Sequence, residues 1–346
     1  MKRIAIITGL LSGFLFGIAT PMSKLLLSDL NYFQLAGLLY LGAGLAMLPS
    51  ILHHNNQIEI LFHSSSWLNM TGIIFFGGIM GPLLLLAGLQ TANAASVSIW
   101  LNMELVATAL LGILFFKDAL DKYALTGVIL TILAGIITSF GEGMSGISSG
   151  LLITAACFCW GVDNHLTALI DGATPQTVTF IKGIVAGTVN FIIGCLITTQ
   201  PVELTTIFPA VILGAFSYGF SIVLYVTSAQ NIGATRSQIL FSSAPLWGVL
   251  LSYLFFADSF HWVHLLSITL LAIAVIVTNI YSHNHLHTHR AMEHIHYHRH
   301  NDEHHNHTHD EPVPEGKWHS HLHTHQPITH QHPHQPDLHH RHDHKE

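Results

Sequence analysis

The sequence predicts an all-α membrane protein: ten transmembrane helices arranged as two inverted five-helix repeats, followed by a disordered cytoplasmic tail. Three observations lead to this. Half of the 346 residues are hydrophobic and only 9% are Asp, Glu, Lys or Arg, whereas soluble domains are nearer a quarter charged. Apolar windows long enough for a bilayer core recur along the chain, and the windows of the first half resemble those of the second. The expected boundaries are 1–141, 146–281 and 282–346.

The apolar windows are separated by short polar breaks. Each holds about the 20 residues that a helix needs to cross a bilayer core of roughly 30 Å. We expect the spans at Ile4–Leu27, Phe33–Leu52, Trp67–Leu89, Ala94–Phe116, Tyr123–Phe140, Ile147–Ile170, Pro175–Thr199, Ile207–Ala229, Thr235–Phe256 and Phe260–Tyr281. Small residues at every fourth position predict closely packed helices, as at Gly9, Gly13 and Gly17, Gly77 with Gly81, and Gly183 with Gly187.

An internal repeat relates the two halves. Residues 84–138 align without a gap on residues 224–278, at a spacing of 140 positions. Gln90 then meets Gln230, and a Phe-Phe-Lys-Asp ending meets Phe-Phe-Ala-Asp. Apolar helices match by chance, so these polar coincidences are the evidence for a true repeat.

The two copies are expected to insert in opposite orientations, because each has five spans, an odd number. Lys117 of the first copy aligns with Ala257 of the second, whereas Ser96 aligns with Arg236. This exchange of positive charge is what the positive-inside rule requires of inverted copies. We therefore expect a multi-pass protein of the cell membrane with both termini in the cytoplasm.

Inverted repeats are typical of secondary transporters, in which the substrate site lies near the midplane and rocking of the halves alternates its exposure. The sequence has no phosphate loop, H-E-x-x-H motif or nucleophile elbow. We therefore expect a transporter and not an enzyme.

Four segments are distinctive: FLFGIATPMSKLLL in the first span, CFCWGVDNHLTALI in the sixth, and MELVATALLGILFFKD and APLWGVLLSYLFFAD at the ends of the fourth and ninth. With these segments the chain resembles the EamA family of the drug/metabolite transporter superfamily over about residues 4–280. The family commonly ends these last two helices in glutamate, where this chain has Asp118 and Asp258. Its proline there is present as Pro245, but the matching position is Leu105. The resemblance implies ten spans and small-solute transport through a central cavity.

Three charged residues fall inside the spans and are candidates for substrate binding or coupling: Glu104, Asp163 and Lys182. A charge in the bilayer core is costly and is usually functional or paired. Glu104 is predicted in mid-helix, with Trp100 four residues earlier on the same face. We expect it to bind a proton or a cationic group in the cavity. The alternative is a protonated acid hydrogen-bonded between helices.

Asp163, Asn164 and His165 are consecutive, so they span about 200° of a helix and at most two of them can face one cavity. Lys182 is the expected partner of Asp163, either as a structural ion pair or as a substrate clamp. Among the aromatic residues, Trp100 and Tyr225 are candidates for stacking on a solute, although aromatic residues also pack ordinary membrane helices.

The tail contains 23 of the 29 histidines and too little apolar surface to fold. Alternating histidines allow neighbouring imidazoles to chelate one ion, and imidazole without thiolate suits Zn, Ni, Co or Cu(II). Protonation near pH 6.5 offers a competing role in pH sensing. The candidate metal ligands are His283, His285, His287, His289, His294, His296, His298, His300, His319, His321, His323 and His325.

Three functions remain open at this point. The first is an exporter of small organic metabolites that has a metal- or pH-responsive tail and needs no resident cofactor. The second is a divalent metal transporter, although the spans offer only Glu104, Asp163, His165 and Cys159 as ligands. The third is a membrane-anchored metal sensor or buffer. The expected partners are the lipid bilayer, the solute and metal ions, with a homodimer left open and nucleic acid excluded by the acidic charge of the tail.

Overall fold

Helices account for nearly all of the described residues before position 281. The structure is a computed structural model that describes residues 2–53, 66–116, 122–170, 174–198, 202–232, 240–241, 243–256, 261–280, 284–288, 292–298, 319–325 and 329–333.

Thirteen α-helices and two π-helices follow one another along these ranges. They are α1 (Lys2–Gly17), α2 (Ala19–Leu26), α3 (Tyr32–His53), α4 (Ser66–Gly72), π1 (Ile73–Met80), α5 (Gly81–Thr91), α6 (Ala94–Trp100), α7 (Met103–Phe116), α8 (Lys122–Ala168), α9 (Pro175–Ile197), α10 (Leu204–Gly214), π2 (Ala215–Phe220), α11 (Ser221–Ile232), α12 (Ala244–Phe256) and α13 (Trp262–Ile280).

Among the described residues, seven helical stretches are long and apolar enough to cross a membrane. Three shorter apolar helices coincide with the predicted fifth, ninth and tenth spans: Leu125–Thr138, Ala244–Phe256 and Trp262–Ala274. Full-length counterparts therefore exist for seven of the ten predicted spans, and crossing by the other three stays a prediction. The seven are Ile6–Leu26, Tyr32–Leu52, Trp67–Thr91, Ala94–Phe115, Gly146–Thr167, Pro175–Ile197 and Leu204–Tyr225.

Helix α8 contains both the fifth and the sixth predicted span. Its 47 residues would extend about 70 Å if straight, more than twice the bilayer core. The Trp100 indole, however, lies against both Gly135 and Gly150 of this helix, which a straight helix would hold roughly 22 Å apart. The chain therefore folds back between these two glycines, with the indole wedged between the two arms.

Glycines bring helices α3 and α9 into backbone contact. A Cβ built on Gly187 would lie 2.6 Å from the backbone nitrogen of Leu41, and one on Gly183 would lie 2.7 Å from that of Gly44. Real Cβ atoms do not approach that closely, so only glycine fits at these positions. The predicted close packing at Gly183 and Gly187 is confirmed.

The two repeats carry the same irregularity of the backbone at the same position. In π1, the N–H of Gly81 bonds to the carbonyl of Phe76, five residues earlier. In π2, the N–H of Ser221 bonds to that of Phe216. Gly81 and Phe76 correspond to Ser221 and Phe216 at the same spacing of 140 positions as the sequence repeat. The repeat therefore extends upstream of residue 84.

Four short strands form in the tail, where the composition predicts disorder. Strand β1 (Asn284–Thr288) pairs antiparallel with β4 (Thr329–Pro333), and β2 (Met292–His298) pairs antiparallel with β3 (His319–His325). The disorder prediction is not confirmed for these segments, where histidine at every second position is also the period of a strand. The register sets histidine opposite histidine in both pairs, at His285 and His332, His287 and His330, His294 and His323, His296 and His321, and His298 and His319.

Candidate functional site

The π1 turn leaves one backbone carbonyl near the middle of the third span without a backbone donor. In an α-helix the N–H of Gly81 would bond to Gly77, but here it bonds to Phe76. The next residue, Pro82, has no N–H to replace it. Side chains from two other helices donate to the Gly77 oxygen instead of a backbone N–H. The Tyr40 hydroxyl does so at 2.5 Å and the Trp160 indole N–H at 3.2 Å.

The predicted ion pair between Asp163 and Lys182 lies on the glycines of this turn. The Lys182 Nζ is 2.8 Å from Asp163 Oδ2, and both side chains are largely buried, with 14% and 7% of their surfaces exposed. Gly77 and Gly78 make room for it, since a Cβ on Gly77 would lie 2.2 Å from the carboxylate. The pair is thus present as predicted, and its role in transport stays a prediction.

Glu104 lies in the first turn of α7, just after an irregular turn within the fourth span. This span runs from Ala94 to Phe115 as predicted, with a break in its regular α-helical bonding between α6, which ends at Trp100, and α7, which begins at Met103. At this break the N–H groups of Asn102, Glu104 and Leu105 bond three residues back instead of four. The buried Cys157 thiol is 3.7 Å from the carbonyl of Leu101 at this break, at hydrogen-bonding distance for sulfur. The same carbonyl accepts a hydrogen bond from the N–H of Glu104, so the helix tightens to three-residue bonding at this point.

The Glu104 carboxylate accepts a hydrogen bond from Asn164, whose Nδ2 is 3.0 Å from Oε1. Asn164 is exposed and Glu104 is half-buried. Because Asp163 is neutralised by Lys182, Glu104 is the carboxylate of this group without a cationic partner at bonding distance among the described residues. We call Tyr40, Glu104, Asp163, Asn164 and Lys182 the polar cluster.

Asp163 points in a different direction from Asn164 and His165, as their consecutive positions on one helix predict. Asp163 faces π1 and α9, whereas Asn164 and His165 both face α7, where the His165 ring nitrogen Nε2 is 3.1 Å from the Thr108 oxygen. Among the described side chains, no group of three or more His, Cys, Asp or Glu is placed to hold a metal ion.

The aromatic candidates lie away from the polar cluster. Trp100 fills the wedge in α8, which is the packing alternative. The Tyr225 ring is 5.2 Å from Phe241, and the rings of Phe241 and Phe16 lie between it and Tyr218. Tyr218, 5.6 Å from the Tyr40 ring, borders the cluster, as does Trp160 through its bond to Gly77.

Some candidate residues lie outside the described parts of the chain. These are Asp118, Arg236 and Asp258 near span ends, and His283, His289 and His300 of the tail. For the other tail histidines the structure supplies the strand register alone.

Sequence reasoning missed two polar contacts. The Lys24 ammonium donates to the carbonyls of Leu89, Gln90 and Ala92, which end the third span. His264 links three helices, with its ring nitrogens bonded to Ser96 and Tyr253. The signal for both was their polarity inside or beside an apolar window, which a pattern of spans alone does not interpret.

The two halves each match one family of known proteins. The sequence pattern of the EamA-like transporter family fits residues 3–140 and again residues 147–280. The chain belongs to the EamA-like transporter family. It is thereby a member of the drug/metabolite transporter superfamily, and the resemblance noted from its motifs is confirmed.

Two relatives of this EamA-like transporter carry no assigned substrate. An uncharacterized transporter of Methanothermobacter thermautotrophicus is 24% identical over 268 residues, which cover 71% of this chain and 77% of the relative. The uncharacterized transporter YyaM of Bacillus subtilis is 27% identical over 192 residues, covering 51% of this chain and 62% of YyaM. Both relatives are described as transporters, which supports a function in membrane transport but does not indicate the solute.

A solved crystal structure has the same fold as this EamA-like transporter. The TM-score is 0.59 at 13% sequence identity, and the similarity covers 80% of this chain and 96% of the other. At that identity the likeness establishes the fold alone.

The packing of the ion pair against Gly77 in the EamA-like transporter can be tested with Gly77→Ala. The added methyl would meet the Asp163 carboxylate at 2.2 Å, so we expect a loss of about 1 to 3 kcal/mol of stability, typical of overpacking, and a displaced ion pair. The thermal unfolding midpoint of the purified protein measures this. Gly88→Ala is the matched control in the same span, because its nearest neighbour is an Ile153 side-chain atom at 3.1 Å. Equal midpoints for both variants would contradict the prediction.

Proposed function

We propose that the chain exports small organic solutes by alternating access of its two inverted repeats. The observation that carries this proposal is the placing of the polar cluster beside interrupted helices. Broken helices whose irregular backbone lines a cavity mark the substrate sites of many secondary transporters. Here the polar cluster adjoins both the break before Met103 and the π1 turn.

Glu104 is proposed to bind the proton or the cationic group of the solute. Three features support this role: the carboxylate is half-buried, its neighbour Asn164 is exposed, and the closest cation is already bonded to Asp163. A site of this kind suits a solute with an amino group.

The orientation of the repeats and the cytoplasmic position of both termini belong to the same proposal. Five spans in each copy require inversion, and the exchange of positive charge between the copies supports it. Transport of a divalent metal by the helices is less favoured, because the described side chains of the helices bring together no group of three metal ligands.

The tail is proposed as an accessory that responds to divalent metal. Its strand register sets histidine opposite histidine in both pairs, and residues directly opposite in an antiparallel pair have Cβ atoms about 5 Å apart. Two imidazoles at that spacing can share one ion of the Zn, Ni, Co or Cu(II) class.

One reconstitution separates these functions. The full-length protein and a chain ending at Tyr281 are placed in vesicles, and counterflow of radiolabelled amines and amino acids is measured beside Zn²⁺ uptake. Metabolite flux that survives truncation supports the exporter. Zn²⁺ flux that disappears with the tail would favour a metal transporter, and absence of both fluxes would favour a sensor.

Metal binding by the tail is a separate prediction. We expect the full-length protein to bind several Zn²⁺ per chain and the chain ending at Tyr281 to bind none above the level of protein-free detergent, by isothermal titration and elemental analysis. Replacing His319, His321 and His323 by serine removes one side of the β2 pair and should lower the number bound. Unchanged binding after truncation would refute this role of the tail.

A further inference from the structure

The π turns of the two repeats coincide in position but differ in what holds them. In the second repeat, the carbonyl left over at Ser217 is satisfied locally, because the Ser221 hydroxyl of the same helix donates to it at 2.5 Å. In the first repeat, the equivalent Gly77 carbonyl depends on Tyr40 from α3 and Trp160 from α8. The Gly77 carbonyl of π1 is therefore satisfied from outside its own helix, whereas the Ser217 carbonyl of π2 is satisfied from within its own helix.

Two hydrogen-bonding registers of the first turn are compatible with Pro82, which has no N–H to donate. In the observed π register the Gly77 carbonyl has no backbone donor, because the N–H of Gly81 is bonded to Phe76. In an α register Gly81 would bond to Gly77, and Gly78 would instead lack the donor that Pro82 cannot supply. A donor for the Gly78 carbonyl in that second state is already in place, since the Asn190 Nδ2 donates to the Gly78 oxygen at 3.1 Å.

Tyr40 connects this turn both to the ion pair and to the second repeat. Its hydroxyl bonds to Gly77, whose Cα adjoins the Asp163 carboxylate. Its ring lies against Tyr218 of π2, with centroids 5.6 Å apart. A change of register at π1 would therefore move Gly77 and Gly78, against which the Asp163 and Lys182 side chains pack. It would also break the hydrogen bond of the Tyr40 hydroxyl.

We propose that π1 is a two-state element of the transport cycle and that Tyr40 is the positioning residue that couples its register to the Asp163–Lys182 pair. The α register belongs to the other conformation of the cycle, in which the Tyr40 and Trp160 donors have left Gly77. This proposal rests on the proposed transport function, since it assigns the coupling within the same site.

The test uses the only Gly-Gly pair in the sequence, Gly77 with Gly78. Full-length protein labelled with carbonyl-¹³C and ¹⁵N glycine gives a single directly bonded ¹³C–¹⁵N signal in a solid-state NMR experiment on lipid vesicles. Its ¹³C shift reports the hydrogen bonds of the Gly77 carbonyl. No solute is added, so the outcome does not depend on whether the proposed transport function is correct.

We expect Tyr40→Phe to shift this signal, with the population of a second signal rising about fivefold, as loss of one buried hydrogen bond implies. Asp163→Asn should raise the same second signal, because the ion pair rests on the turn. Tyr32→Phe, a hydroxyl deletion eight residues earlier on α3, and Ser221→Ala in π2 should leave the signal unchanged.

A single unchanged signal in folded Tyr40→Phe would overturn the proposal, as would a second signal that is raised equally by Tyr32→Phe. Trp160→Phe removes the other donor and gives an independent variant if Tyr40→Phe fails to fold. A second signal seen with Tyr40→Phe and absent with Asp163→Asn would overturn the coupling to the ion pair.

Discussion

Replacing Glu104 by glutamine is expected to abolish transport while the protein still inserts and folds. Glutamine keeps the size of the side chain and can still accept the hydrogen bond that Asn164 donates to Oε1. It cannot carry a negative charge or exchange a proton. Counterflow of a radiolabelled amine in vesicles measures the effect, and the amount and melting temperature of the purified protein establish that the variant is folded.

Two further variants decide why transport is lost. Glu104→Asp keeps the charge on a shorter side chain, so we expect it to retain part of the activity. Asp29→Asn removes an exposed carboxylate outside the polar cluster and should transport like the unaltered protein. Near-normal counterflow by Glu104→Gln would exclude Glu104 as the coupling residue.

The second large effect is expected at the ion pair. Removing one partner, as in Asp163→Asn or Lys182→Met, leaves an uncompensated charge with little exposed surface, which costs about 3 to 5 kcal/mol for buried pairs. The double variant removes both charges, so we expect it to recover most of that loss. Replacing a whole buried pair is often close to neutral in stability.

A double-variant cycle on thermal or denaturant unfolding measures the coupling between the two residues. The pair is established as an interacting unit if the double variant is more stable than either single one. Equal losses in the two single variants and the double variant would mean that each side chain stabilises the fold independently. Transport by a stable double variant would further show that the pair is structural and does not bind the solute.

Much of the helical architecture follows from apolar length alone. A stretch such as Pro175–Ile197, with Lys182 as its one charge, has few alternatives to a membrane helix. The ion pair was predictable for the same reason, since a buried charge needs a partner and Asp163 had no nearer candidate. The close packing of α3 on α9 followed from glycine spacing.

The interruptions of the helices were not predictable from the same rules. The register at Gly77 depends on Tyr40 and Trp160, which are 37 and 83 residues away in the chain, so the local sequence does not determine it. Pro82 was a signal that backbone bonding is disturbed nearby, as was Asn102 at the break before α7, since asparagine competes for backbone hydrogen bonds. Both are compatible with an unbroken span when hydropathy is the only criterion.

In the tail, two features of the local sequence indicate different structures. Its composition has too few apolar residues for a core, but its alternation of histidine has the period of a strand. Composition and period indicated different structures, and the described segments follow the period. A two-stranded pair with no core is marginal by itself, which is why binding of metal is the decisive measurement for this region.

The wedge formed by Trp100 has a consequence for biosynthesis. Its indole contacts Gly135 in the arm of α8 that belongs to the first repeat and Gly150 in the arm that belongs to the second. During translation the first repeat leaves the ribosome before Gly150 is available to this ring. The packing around Trp100 is completed when the sixth span is inserted. The second repeat is therefore needed to complete the packing of a side chain that belongs to the first.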